Sequence, residues 1–301
     1  MRILHVDTGK EMRGGQRQVL FLLEALRGSG HASTLLAPKN SPLWRAAAER
    51  GFAVYRASLL QLWRLHRQVD LVHAHDARAH TLAALVPRCL FVVSRRVAFP
   101  VRRSVVSRWK YRRPARFLAI SHFVAEQLQA AGIASEKIDV VYDATDLFSG
   151  ARTWSAEDPV VALASGDPQK GRDLVEKAAA LANIRVLFSS DLTRDLAHAS
   201  AFVYITRSEG LGSAALLAMS MGVPVIASDV GGLREVFVDG VSGLFVSSEP
   251  QSIVSAIERV LSDSTLARRL SENARARIAE RFTVDHLLRG TVAAYERALA
   301  A

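Results

Sequence analysis

Short apolar runs return at regular intervals along the chain, separated by glycine-bearing turns and by stretches with helix-spaced apolar positions. Continuous apolar residues, rather than strict alternation, are what strands need when a sheet is covered on both faces. In the first half these runs are residues 3–7 (ILHVD), 33–37 (STLLA), 52–55 (FAVY), 69–75 (VDLVHAH), 89–94 (CLFVVS), 116–121 (RFLAIS) and 137–142 (KIDVVY). Helices are predicted between them. Val19 to Leu26 is helix-spaced and is stopped by Gly28 and Gly30. Ser41 caps the next helix, with Pro42 at its first position. Others cover about 59–67, end at Val86, and cover about 122–131. Residues 143–159 are polar, with Gly150, Trp154 and Asp158-Pro159, and read as a linker. A second alternating series follows: 160–164 (VVALA), 184–188 (IRVLF), 201–206 (AFVYIT), 223–228 (VPVIAS) and 243–246 (GLFV). The remainder is helical, through Ile253, Ile257, Val260 and Leu261, then Leu266 to Arg281 and Val284 to Leu299. Strands alternating with helices predict an α/β protein with a doubly wound parallel sheet in each half.

The chemistry concentrates between Ser208 and Glu235. Glu209 stands where the 201–206 strand ends. Gly210 and Gly212 let the backbone approach a ligand with no Cβ in the way. A helix is predicted from Ser213, and its first turn presents unpaired N–H groups at the positive end of a dipole, a seat for phosphate. Val223 to Ser228 suits a central strand, and Gly231-Gly232 make a second close approach at its carboxyl end, the edge where open α/β sheets bind ligands. Gly14-Gly15 follow the first strand in a glycine loop, which by itself can be an ordinary tight turn. Lys170-Gly171, in GDPQKG, follow the first strand of the second series; Lys170 is either a phosphate contact or a solvated surface lysine. Glu209 could also simply cap the next helix.

At 301 residues the chain has room for two domains of about 150 each. The single cysteine, Cys89, allows no internal disulfide and fits a reducing compartment. No run reaches the roughly 18 apolar residues of a membrane span. His5 interrupts the apolar patch Ile3 to Val6, which does not read as a signal peptide. A cytoplasmic location is expected. The net charge of +10 calls for an anionic partner: phospholipid, phosphorylated glycan or nucleic acid. Much of it lies in 95–116, in Arg95, Arg96, Arg102, Arg103, Arg108, Lys110, Arg112, Arg113 and Arg116, with Phe99, Trp109 and Tyr111 interleaved and no acid. That segment reads as a basic surface on anionic lipid, as a pocket for an anionic saccharide, or as a solvated face. No nucleic-acid motif accompanies it, so no nucleic acid is expected.

Ser208 to Glu235 resembles the donor-site signature of family 4 glycosyltransferases, which have the GT-B fold. Glu209, Gly210, Gly212, Ala218, Met219, Gly222, Pro224, Val225, Ile226, Ala227, Ser228, Gly231, Gly232 and Glu235 fall in register with it. The resemblance implies two Rossmann-like domains facing a cleft. The expected bounds are 1–145 on the acceptor side, 158–283 for the nucleotide sugar, and 284–301 as a helix packing back on the first domain. Lys170 to Glu209 is short for the family, so one strand–helix unit is expected to be missing. Donor binding falls to Gly14, Gly15, Lys170, Gly171, Gly210, Leu211, Gly212, Ser213, Gly231 and Gly232. Glu209 would contact the donor sugar. His75 and Asp76, at the carboxyl end of a strand, would bind acceptor hydroxyls or assist proton transfer, while His73 points into the sheet. Arg95, Arg96, Arg102, Arg103, Lys110 and Arg113 would serve acceptor or membrane.

The implied reaction is glycosyl transfer with retention, from a UDP- or GDP-sugar used as substrate and without a cofactor. The acceptor would be an anionic saccharide or a lipid-linked glycan, in cell-surface polysaccharide or lipopolysaccharide synthesis at the inner membrane face. No metal is expected: His73, His75 and His80 are irregularly spaced. Two departures stand out. Leu217 replaces the family's second glutamate, which accepts hydrogen bonds from the nucleotide ribose, and Ser165 replaces an arginine ahead of Lys170. A charged hydrogen bond contributes roughly 1.5–3 kcal/mol, so losing one weakens binding about 10- to 200-fold. The alternative is a catalytically inactive GT-B protein that binds a glycan or a partner protein. A dinucleotide oxidoreductase is disfavoured, because no G-x-G-x-x-G follows the first strand.

Overall fold

The computed structural model describes residues 1–101, 104–148, 150 and 153–300. It divides into two compact units: Met1–Ala144 with the segment from Val284, and Thr145–Thr283. Both are α/β with entirely parallel sheets. No helix among the described residues is long and apolar enough to cross a membrane.

The first unit runs β1 (Arg2–Val6), α1 (Gly14–Gly28), β2 (Ala32–Ala37), α2 (Pro42–Glu49), β3 (Ala53–Arg56), α3 (Leu59–Leu65), β4 (Leu71–Ala74), α4 (Ala77–Leu85), β5 (Phe91–Arg95), α5 (Val105–Arg112), β6 (Arg116–Ala119), α6 (His122–Ala130) and β7 (Ile138–Val140). The strand order is β3-β2-β1-β4-β5-β6-β7. The chain therefore winds outward from β1 in one direction, then returns to start again at β4. That reversal leaves a crevice beyond the carboxyl ends of β1 and β4, where doubly wound sheets bind ligands. Serine side chains start several helices: Ser41, Ser58, Ser104 and Ser121 each accept a backbone N–H of the first turn. α1 begins at Gly14, ahead of the apolar stripe that starts at Val19, and the Gln16 side chain accepts from Arg13 N at 3.2 Å.

The second unit runs β8 (Val160–Leu163), α7 (Arg172–Ala182), β9 (Val186–Ser189), α8 (Leu192–Leu196), β10 (Ala201–Tyr204), α9 (Ser213–Ser220), β11 (Val225–Ser228), α10 (Leu233–Val236), β12 (Leu244–Val246), α11 (Pro250–Ser262) and α12 (Ser264–Arg281). Its strand order is β12-β11-β10-β8-β9. Renumbered from its own start this is the 2-1-3-4-5 winding, with its reversal between β8 and β10. One helix, one strand and one more helix lie between Lys170 and β10, as the spacing predicts. Val160, Val203, Ile226, Val175, Ile253 and Ile257 form the core between sheet and helices. The last helix, α13 (Val284–Leu299), belongs to the first unit. Its Leu287, Ala294 and Tyr295 are buried with Ile3, Leu22, Leu71 and Val92.

Candidate active site

In the second unit the reversal point brings together two loops distant in sequence. Lys170 ends a short 3-10 turn after β8, and Glu209 follows β10. Lys170 Nζ donates to Glu209 Oε2 at 2.7 Å and to the Tyr204 hydroxyl at 3.2 Å. Tyr204, the last residue of β10, donates its phenol to the same carboxylate oxygen. Burial raises the Tyr204 pKa well above its ordinary value, and the adjacent Glu209 charge and hydrogen bond raise it further, so the phenol stays a donor. Lys170 and Glu209 retain 27% and 17% side-chain exposure, which leaves both open to a ligand. An ammonium has three donors, and two are engaged here.

The glycines around this pair are there for space. Gly171 has φ +55, and a Cβ on it would stand 2.7 Å from Ile205 Cγ2. Gly212 has φ +112, and a Cβ would meet Leu233 Cδ2 at 2.6 Å. At Gly232 a Cβ would fall 1.9 Å from the carbonyl oxygen of Gly210, because Gly232 N donates to Glu209 O at 3.0 Å and draws the two loops together. Thr206 completes the knot: its N–H reaches Ser228 Oγ at 3.0 Å and its hydroxyl reaches Gln169 O at 3.1 Å. α9 then starts on Gly212 with no side chain capping it. Its first-turn N–H groups carry the positive end of the helix dipole. Gly210 and Leu211 are buried, Ser213 is exposed, and Gly231 is half-buried. Leu217 is half-buried one turn along α9 and offers no polar atom.

In the first unit the reversal point holds histidines. His5 on β1 and His73 on β4 are register partners. His5 Nδ1 lies 3.0 Å from His75 Nε2, and His73 bonds the Tyr295 hydroxyl at 2.6 Å and Ser94 Oγ at 2.8 Å. Arg96 Nη1 reaches His75 Nδ1 at 3.4 Å, while its Nε pairs with Asp143 at 3.0 Å. Burial holds His5 down to about 3, and drives His73 and His75 well below the usual imidazole range, helped by their neighbours' charges. Neutral rings fit the His5–His75 bond, in which one nitrogen must accept. The ligand nitrogens of His5, His73 and His75 lie within 4.8 Å of one another, a spacing a metal ion could use. Both nitrogens of His73 are already hydrogen-bonded, so the cluster reads as a satisfied polar network. His75 is only 4% exposed and sits inside it, not at an open edge. Asp76 accepts from Arg78 N and Ala79 N to cap α4, and from Thr8 N and Thr8 Oγ1 across to β1. His80 lies apart from this group, with Nε2 donating to Lys110 O at 3.1 Å. Gly14 and Gly15 open α1, and a Cβ on Gly15 would lie 3.7 Å from Arg96 Cδ.

The sequence model of the glycosyl transferases group 1 matches residues 117–277, just over half of the chain. The chain belongs to the group 1 glycosyltransferases. A second model, glycosyltransferase family 4, matches residues 12–147. An uncharacterized glycosyltransferase of Methanocaldococcus jannaschii is 37% identical over 92 residues, covering 30% of this chain and 24% of its own length. A D-inositol 3-phosphate glycosyltransferase of Frankia alni is 36% identical over 153 residues, 46% of this chain and 36% of its own. The chain thus spans well under two thirds of the curated relatives it matches. Anabaena HepE, solved with UDP-glucose, superposes with a TM-score of 0.85 at 16% identity, covering 97% of this chain and 98% of that one, a likeness of fold.

In this group 1 chain the basic segment is not a plain loop. Residues Val105–Arg112 form a helix with none of its residues buried, capped by Ser104 Oγ accepting from Ser107 N. Several of its expected contact residues already bond within the unit. Arg95 donates to the Tyr111 hydroxyl and to Phe99 O, Lys110 Nζ to Ala77 O, and Arg113 to Val86 O. Arg102 and Arg103 lie outside the described residues. Val105, Val106 and Trp109 face outward, 73%, 71% and 44% exposed. Tyr204, His5, Asp143 and Tyr295 carry no site role on sequence grounds, yet the structure places them in these two groups. Tyr204 carries one local signal, a phenol at a strand end five positions before Glu209.

Proposed function

We propose that the chain transfers a glycosyl group from a nucleotide-diphosphate sugar to a glycan or lipid-linked acceptor, with retention of configuration. The observation that carries this is the Lys170–Tyr204–Glu209 group beside the uncapped start of α9. The α9 amides and the free donor of Lys170 would hold the diphosphate and stabilise the charge that develops on it as the anomeric C–O bond breaks. Tyr204 and Lys170 fix the Glu209 carboxylate toward the sugar hydroxyls. These groups supply the neutralisation without a metal ion. His75 and Asp76 take a positioning part, holding the loops after β1 and β4. UDP is the favoured nucleotide, by likeness to a fold solved with UDP-glucose. Leu217 leaves the ribose without a carboxylate partner, and exposed Arg207 stands in for the arginine replaced by Ser165.

The test is nucleoside diphosphate release from a panel of UDP- and GDP-sugars, with Glu209→Gln alongside. Release by the wild type and its loss in the variant support the reading; equal turnover rejects the role of Glu209. The second reading, a non-catalytic binder, draws on Leu217 and Ser165, and predicts that no nucleotide in a calorimetric panel binds. The outward valines and Trp109 of α5, flanked by Arg108 and Arg112, support a peripheral contact with an anionic membrane at the inner face during surface-glycan synthesis. Vesicle binding that ignores anionic lipid content would remove it.

A further inference from the structure

A cavity of about 760 Å³ opens in the first unit, and neither a histidine nor a residue of α5 lines it. Thr8 and Lys10 line it from beyond β1, Lys39 from beyond β2, Arg56 from the end of β3, and Arg78 and Thr81 from α4. β3, β2, β1 and β4 are consecutive neighbours in the sheet. Four cations, each from the chain at or just beyond a different strand's carboxyl end, therefore meet at one edge of the sheet. Among the described residues no ion pair or hydrogen bond engages the side chains of Lys10, Lys39, Arg56 or Arg78, although ion pairs occur elsewhere in the unit, as at Arg50–Glu24 and Arg96–Asp143. No acid lines the cavity. The nearest carboxylate in the chain to Thr8 is that of Asp76, which Thr8 and the α4 amides already engage. Gathering like charges without counterions costs folding free energy. A concave site that retains them at the ligand-binding edge of the sheet is built for an anion.

We infer that this cavity seats the anionic group of the acceptor, a phosphate or carboxylate carried on a saccharide. The inference rests on the transferase reading for the word acceptor and on the cavity alone for the anion. It moves the expected anion contact from Arg95, Lys110 and Arg113, whose donors are turned to backbone and Tyr111, to Lys10, Lys39, Arg56 and Arg78. Guanidinium groups from Arg56 and Arg78 can grip two oxygens each, which suits either anion.

The experiment is calorimetric titration of the full chain, with the nucleotide site filled by excess UDP, using glucose 6-phosphate, glucuronate and glucose as probes. Wild type is expected to bind at least one of the two anionic sugars, one per chain and at least tenfold tighter than glucose. The double variant Lys39→Ala/Arg56→Ala should weaken that binding at least tenfold while UDP affinity is unchanged. The anionic sugar that binds tighter identifies phosphate or carboxylate as the group. Arg78→Gln should weaken it too, and because these side chains are exposed, the variants should melt no lower than wild type. Glucose binding as tightly as the anionic sugars, or variants that bind them as wild type does, would overturn the inference. No turnover is measured, so a chain that binds no UDP and transfers no sugar, yet binds the anionic sugar through Lys39 and Arg56, would refute the transferase reading and leave the anion site standing.

Discussion

The two sheets reverse their winding at comparable places, and the protein uses the two places oppositely. At the β8/β10 reversal, Lys170, Tyr204 and Glu209 hold one another while keeping part of their surface open, and an uncapped helix start lies beside them. At the β1/β4 reversal, His5, His73 and His75 are buried and hydrogen-bonded to each other, to Ser94, Tyr295 and Arg96. One crevice keeps its charges for something that arrives. The other closes its polar groups on themselves, and leaves the open cations to the cavity at its side. A reversal point supplies the crevice; the side chains decide whether it is a site or a fastening.

The largest expected effect breaks the comparison at its open end. Glu209→Gln keeps the size of the side chain and removes the charge that Lys170 and Tyr204 orient. Transfer should fall by roughly 10²–10³, as when one preorganised electrostatic contact is lost, with circular dichroism unchanged. Next is Lys170→Ala, which removes a charged contact of about 1.5–3 kcal/mol. Nucleotide affinity should drop about 10- to 200-fold by calorimetry.

The closed end should answer to pH instead. Burial holds His5 down to about 3 in the fold against 6.5 unperturbed, and drives His73 and His75 below the usual range as well. Between those values the unfolded chain binds more protons than the folded one, so stability rises with pH there. Acidification from pH 6.5 should lower the melting temperature, by up to roughly 1.4 kcal/mol of stability per histidine per pH unit. His5→Gln should flatten that slope. The smallest effect sharpens the open end: Leu217→Glu should tighten a ribonucleotide about tenfold and leave its 2′,3′-dideoxy analogue unchanged, by competition binding.

Much of the candidate site beside α9 was legible from sequence because its signals are local. Gly210, Gly212, Gly231 and Gly232 follow Glu209 within one stretch, and at Gly212 and Gly232 a Cβ would collide with the facing loop. The alternation of strands and helices was equally plain, as was the Ser41 cap with Pro42. What stayed hidden depends on strand order. His5 meets His75 only because β1 and β4 are neighbours, with 70 residues between them. Tyr204 reads as an ordinary core aromatic until Glu209 folds back onto it. The helix at Val105–Arg112 is short and has no buried residue, so its few apolar positions stand among basic ones without marking a core-facing stripe. The hydrogen bonds of Arg95, Lys110 and Arg113 were invisible because their partners are a hydroxyl and backbone carbonyls, which leave no charge pattern in the sequence.

The central claim is that the open reversal point binds the diphosphate of a sugar nucleotide through Lys170 and the α9 amides. Titration of UDP into wild type and Lys170→Ala tests it most directly. One site per chain is expected in the wild type, and at least a tenfold weaker Kd in the variant. Equal affinity in the two proteins would contradict it.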